Sequence, residues 1–215
     1  MHVTPSKENI LKRVRIALSQ PVPLPYPQAQ GKRAIFNDED EDYGILFAET
    51  FSKLLGRFVF CATHEELAGN LKALAIINKW SDVYCREPCL LEVLKPFTLP
   101  FLNAGGDMHD AGAALTSCEA LVARTGSIVL SARQASGRAA GIFPPVHIAV
   151  AYADQLVHDL IDAFKLLKRK YGEELPSMIS FQSGPSRTSD IEKKSVVGVH
   201  GPREVYVFLV DSEQD

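Results

Sequence analysis

At 215 residues, 46% of them hydrophobic, the chain is long enough to bury a sizeable core without disulfides. A net charge of −3 supplies no broad positive field, which sets nucleic acid and anionic membranes aside as partners. No apolar run approaches the roughly 20 residues that span a bilayer, and the first residues lack a signal-peptide core, so a soluble, cytoplasmic protein is the expectation.

In chain order, Thr4 or Ser6 can cap a helix running to residue 19, with Ile10, Leu11, Val14 and Leu18 on one side and Lys12, Arg13 and Arg15 on the other. Pro21, Pro23, Pro25 and Pro27 enforce an extended connection, and the acidic run over residues 38–42 closes it. This divides the chain into an N-terminal helix and connector over residues 1–42 and a main domain over residues 43–215. The amphipathic helix needs a surface to rest on, which leaves room for a second subunit and a homo-oligomer, or for a protein partner. From residue 43 the signals alternate. A helix over 43–55 precedes the β-rich Phe58-Val59-Phe60-Cys61, and Thr63 with Glu66 reads as a capping box opening a helix to residue 79. Val83-Tyr84 is a short strand, residues 87–94 are helical, and Thr116 with Glu119 predicts the cap of another short helix. Ser127-Ile128-Val129-Leu130-Ser131 is a strand directly after the Thr125-Gly126 turn. Strands over 146–151, 178–181 and 205–210 and a helix over 159–171 complete the pattern. Short apolar strands separated by helices predict an α/β fold with a mostly parallel sheet flanked by helices. Ligands of such sheets sit beyond the carboxyl ends of the strands, where Thr125 and residues 183–190 fall.

The chemistry concentrates in Ser183-Gly184-Pro185-Ser186-Arg187-Thr188-Ser189-Asp190-Ile191-Glu192 and in Gly198-Val199-His200-Gly201-Pro202-Arg203-Glu204. Gly184 and Gly201 can take positive φ and let a ligand approach the backbone, while Pro185 and Pro202 stiffen the turns beside them. The hydroxyls of Ser183, Ser186 and Thr188, backbone N–H groups and the forked Arg187 suit a small carboxylate or phosphate. A tight connection capped by Ser189 or Asp190 has the same composition. His200 can orient a ligand, act as a general base, or bond a backbone carbonyl. Thr125, Gly126 and Ser127 share the small residues and hydroxyls of this run and are predicted to meet it in one pocket, with His200 at the rim.

Other chemistries find less support. Cys61, Cys85, Cys89 and Cys118 lack the spacing of iron–sulfur or zinc ligands and read as buried free thiols, although a helix over 86–94 would place Cys85 and Cys89 one turn apart on one face. The loop Asn103-Ala104-Gly105-Gly106-Asp107-Met108-His109-Asp110 mixes His with carboxylates, yet its composition is that of an ordinary polar loop. Dinucleotide, Walker and G-x-S-x-G patterns are missing.

The pairing of the two C-terminal runs resembles the LUD-domain proteins of the lactate-utilisation protein C type. A second block carries the same resemblance: residues 116–127, then Gly137-Arg138-Ala139 and Phe143-Pro144-Pro145-Val146-His147-Ile148. The family usually reads A-x-T-G-T where this chain has Ala123-Arg124-Thr125-Gly126-Ser127, with an acid often at the position of Arg124. The resemblance implies the fold of ribose-phosphate isomerase, glucosamine-phosphate deaminase and the coenzyme A transferases. It also implies a role as an accessory or substrate-handling component of a system oxidising L-lactate to pyruvate. In such a system the iron–sulfur clusters belong to a cysteine-rich and a larger partner subunit, and none is expected in this chain. A transferase or isomerase acting on a small phosphate or acyl-CoA ester is the alternative, though nothing local singles out a glutamate nucleophile, and a non-catalytic scaffold is the third reading.

Overall fold

The computed structural model describes residues 5–19, 42–189, 195–197 and 201–211. Two compact units divide the chain, Met1–Glu39 and Asp40–Asp215. In the first, helix α1 (Pro5–Ser19) exposes Ile10, Leu11 and Val14 on its apolar stripe.

In the second unit the elements follow in order as α2 (Tyr43–Lys53), β1 (Arg57–Cys61), α3 (His64–Asn78), β2 (Val83–Tyr84), α4 (Pro88–Leu94), β3 (Leu102–Asn103), β4 (Ala113–Ser117), β5 (Ala120–Val122), β6 (Ser127–Ser131), β7 (Val146–Tyr152), β8 (Leu156–Val157), α5 (Leu160–Tyr171), β9 (Ile179–Gln182), β10 (Arg187–Ser189), β11 (Ser195–Val197) and β12 (Glu204–Val210). Helix starts follow their caps. Asp42 accepts from the N–H groups of Gly44 and Ile45, Thr63 from that of Glu66, and Asp159 from that of Leu160. Glu66 reaches back to the N–H of Ala62, one residue before the position a capping box would use.

The main sheet runs β1-β12-β7-β4-β2-β3, and every pair in it is parallel. Its central strands are apolar on both sides, as burial between two layers requires. Along β12, Tyr206, Phe208 and Val210 join the core beneath α3 and α4, while Val205, Val207 and Leu209 join the core formed with α2 and the second sheet. That second sheet, β8-β5-β6-β9, is mostly antiparallel, and α5 covers its outer face through Ala163 and Leu167. The antiparallel pair β10-β11 stands apart from both sheets.

Two expectations fail here. Thr116 and Glu119 cap no helix, because Ala113 to Ser117 continue the parallel sheet and Ala120 to Val122 enter the second one. The polar residues that imitate a capping box instead bond partners distant in sequence. Cys85 and Cys89 do not share a helix face, since Pro88 starts α4 after Cys85; Cys85 is buried and Cys89 exposed.

Candidate functional site

The second sheet brings the hydroxyl-bearing segments together. Its register places Ile128 opposite Gln182, so the start of β6 lies beside the end of β9. Ser127 Oγ is 2.7 Å from Ser183 Oγ and 2.8 Å from Thr125 Oγ1, a chain of three hydroxyls contributed by two segments. Gly126 and Gly184 both adopt the left-handed backbone, at φ +56° and +85°. Their neighbour is the last turn of α2: a Cβ at Gly184 would stand 2.5 Å from the Leu54 carbonyl oxygen, and one at Gly126 2.9 Å from the Phe51 nitrogen. The two glycines therefore serve a close helix-to-turn contact.

Arg187 extends to the same turn. Its Nη2 donates to the carbonyl of Leu54, the C-cap of α2, which sets a cation at the negative end of that helix. Ser186 donates its N–H to the Pro202 carbonyl, and Gly201 lies so near that a Cβ would stand 2.9 Å from Ser186 Cβ. Thr188 pairs with Val196 in the β10-β11 hairpin. Asp190 and His200 lie outside the described residues. Thr125, Gly126, Ser127, Ser183 and Gly184 thus meet at α2, with Arg187 on the same turn and Ser186 and Gly201 packed against each other.

A second polar constellation escapes sequence reading. His147, near the start of β7, is fully buried. One of its ring nitrogens, Nδ1, is 2.6 Å from Gln182 Oε1, and the other, Nε2, is 2.9 Å from Thr116 Oγ1. Gln182 Nε2 donates to the Gly141 carbonyl, which leaves Oε1 as the group facing the imidazole and assigns the ring proton to Nδ1. Burial pushes the His147 pKa down to about 4, against the opposing pull of the Gln182 hydrogen bond, so the ring is neutral near pH 7. A neutral imidazole protonated at Nδ1 offers only a lone pair at Nε2, and the Thr116 hydroxyl donates to it. The signal for this relay is His147 itself, the one polar residue inside the apolar run 146–151, because a buried polar group must find partners.

Glu119 is also buried, and its chemistry is settled by its neighbours. Ser131 Oγ and Tyr171 Oη donate to Oε1 at 2.6 and 2.7 Å, and Lys170 Nζ to Oε2 at 2.8 Å. Burial alone would raise its pKa, but these three donors outweigh it and hold the carboxyl below its ordinary value. With both oxygens engaged, Glu119 ties α5 to the second sheet and offers no free nucleophile. Arg124, placed where the family pattern often has an acid, forms an ion pair with the α5 cap Asp159 at 2.8 Å. In the loop after β3, Asp107 accepts the N–H of His109, whose ring packs edge-on against Phe143. Among the described residues, His, Cys, Asp and Glu nowhere gather in a group of three that could hold a metal ion.

Comparison with known proteins agrees with this architecture. The LUD domain family model matches residues 106–210. Lactate utilization protein C of Deinococcus radiodurans is 37% identical over 199 residues, covering 88% of this chain and 84% of the relative. Lactate utilization protein C 1 of Bacillus mycoides is 37% identical over 101 residues and lactate utilization protein C of Bacillus pumilus 40% identical over 94 residues. In these two the match spans 43% and 39% of the relative, less than half of its length. A crystal structure of a DUF162 family protein from Deinococcus radiodurans superposes with a TM-score of 0.55 at 22% identity, covering 80% of this chain and 99% of that one. The LUD-domain segment and the near end-to-end relative define an α/β protein of the LUD class. The chain belongs to the family of lactate utilization protein C. No helix among the described residues is long and apolar enough to cross a membrane.

Proposed function

We propose that this chain is a non-redox component of a lactate-utilising system, working beside iron–sulfur subunits and binding a small anionic ligand. The observation that carries the reading is the 37% identity over 88% of the chain to a lactate utilization protein C. The hydroxyl chain of Thr125, Ser127 and Ser183, with the Arg187 guanidinium on the adjoining turn of α2, is the seat we assign to the ligand. Hydroxyls donate to an anion, and a guanidinium has five N–H donors, of which the contact with Leu54 uses one nitrogen. Thr188, Asp190, His200 and Gly201 are further candidates for this ligand on the ground of their residue chemistry alone.

The placement of electron transfer in partner subunits is supported by the cysteine spacing, since Cys61, Cys85, Cys89 and Cys118 match no iron–sulfur ligand pattern. Deleting the gene should abolish growth on L-lactate while leaving growth on pyruvate intact, and restoring the chain should restore growth. Undiminished growth of the deletion strain on L-lactate as carbon source overturns the reading.

A further inference from the structure

A groove with a free volume of about 410 Å³ runs between α2 and β1, the edge strand of the main sheet. Phe58, Phe60 and Leu209 line it from the sheet, Ile45 and Ala48 from α2, and Leu156 from β8. Ile45 and Phe60 are 62% and 55% exposed, so the groove leaves apolar surface in contact with water. Among the described residues its charged lining is wholly acidic: Asp42 and Glu49 on α2, and Asp211 after β12. Asp42 spends Oδ1 on the cap of α2. Glu49 is 3.7 Å from Lys53 in an exposed pair, which holds that carboxylate weakly.

Helix α1 carries the opposite pattern. Its exposed Ile10, Leu11 and Val14 fall within about 100° of the helix circumference, and the exposed Arg13 and Arg15 flank them on either side. A lone helix of 15 residues is marginal in water and gains its stability by resting an apolar stripe on another surface. Asp42 to Glu49 spans about two turns of α2, roughly 10 Å, while Ile10 to Val14 spans about one turn, roughly 6 Å. The stripe therefore fits along the groove with its arginines beside the acids, as amphipathic helices dock through i, i+4 anchors. The sequence that joins α1 to α2, with Pro21, Pro23, Pro25 and Pro27, has the composition of a semi-rigid spacer, suited to an arm that reaches a neighbouring molecule.

We infer that the chain assembles as a two-fold dimer in which α1 of each copy lies in the groove between α2 and β1 of the other. Ile10, Leu11 and Val14 cover Ile45, Phe58 and Phe60, and the arginines meet Asp42 and Glu49. The two surfaces are unlike each other, so exchange in both directions is what closes the assembly. Apolar area supplies the attraction, and opposite charge selects this groove over other exposed patches. A basic amphipathic helix can also lie on an anionic bilayer. The acidic groove carried by the same chain favours the protein surface. This assembly goes beyond the lactate reading and rests on neither it nor the hydroxyl chain.

Sedimentation equilibrium of the full chain tests this. The parent should run at twice its chain mass of 23.6 kDa, with a dissociation constant that rises several-fold near 1 M salt, where the screening length falls to about 3 Å. Val14→Asp in the helix and Phe60→Asp in the groove change exposed positions, so each variant should stay folded and run as a monomer. Mixed in equal amounts, the two variants should regain a dimer. The Phe60→Asp copy still offers an intact helix and the Val14→Asp copy an intact groove, a rescue that a helix held by its own chain would not give. A monomeric parent, a dimer that survives either substitution, or a mixture that stays monomeric would each overturn the inference. So would a monomeric parent that binds vesicles of anionic lipid and loses them with Val14→Asp, which would assign α1 to a membrane surface. Should circular dichroism show Phe60→Asp unfolded, Ile45→Glu on α2 takes its place in the same mixing experiment.

Discussion

The two faces of the parallel sheet are built from the same strands and do different jobs. Toward α3 and α4, Leu115, Ile148, Val150, Tyr206, Phe208 and Val210 pack with Leu67, Leu71, Leu90 and Leu94 into a largely apolar layer. Toward the second sheet, Ala149, Ala151, Val205, Val207 and Leu209 are interrupted by Thr116 and His147. Apolar contact is non-directional and rewards area, so the first face tolerates many arrangements of similar volume. A buried imidazole or hydroxyl is tolerated only with partners at hydrogen-bond distance, so the second face fixes how the two sheets align. The first face is dry and held by apolar area alone, while the second adds directional hydrogen bonds to an apolar cluster of its own.

The strongest way to break this contrast is to empty the dry face. Phe208 is 2% exposed at the centre of the sheet, and Phe208→Ala should cost about 3–5 kcal/mol, the loss of a large side chain plus the cavity left behind. Urea unfolding reads it as a fall in midpoint with little change in slope. A loss well under 2 kcal/mol would mean that the face beneath α3 and α4 is not where stability resides.

Acid sharpens the contrast from the other side. The pKa of His147 is about 4 in the folded chain against an ordinary 6.5, so between these values the unfolded chain binds the extra proton and the folded chain does not. Stability should be full above about pH 6.5 and decline as the pH falls toward 4, by up to about 1.4 kcal/mol per pH unit. Carboxylates contribute to the same range, so the decisive quantity is the difference between the parent and His147→Gln. The variant should lack part of the slope between pH 6.5 and 4. Identical slopes would show that His147 is protonated without resistance and that the face is wetter than its burial indicates.

The two faces also differed in how far they could be read beforehand. Helices α3 and α5 announce themselves through Thr63 and Asp159, and β12 through its unbroken apolar run, because period and caps are local signals. Of the second sheet, β6 and β9 were legible as strands, while β5 and β8 and the pairing of all four were hidden. Its strands have two to five residues, too few for a period, and Thr116 with Glu119 imitates a helix cap while in fact bonding His147 on one side and Ser131, Lys170 and Tyr171 on the other. At the candidate site, the convergence of Thr125, Ser127 and Ser183 follows from shared hydroxyl and glycine chemistry. The glycines' real neighbour, the last turn of α2, did not, because nothing near Gly126 or Gly184 refers to Leu54 or Phe51. The relay through Gln182 lies 35 residues from His147, and only folding joins them.

Arg187 provides the smallest and most discriminating test, because it is exposed beside the C-terminal turn of α2. Its guanidinium touches the Leu54 carbonyl, so a purely structural role is concrete: a cation capping the C-terminus of α2. Being exposed, that contact should contribute little, and Arg187→Lys keeps the charge and one donor, so the expected stability change is within about 0.5 kcal/mol. Ligand binding depends on something lysine cannot replace, the planar fork that engages a carboxylate or phosphate with two N–H groups at once. Affinity for a phosphate or carboxylate that stabilises the parent chain should therefore fall by about tenfold while the melting temperature barely moves. The opposite outcome, a lower melting temperature with an unchanged dissociation constant, would reduce Arg187 to a helix cap and remove it from the proposed seat.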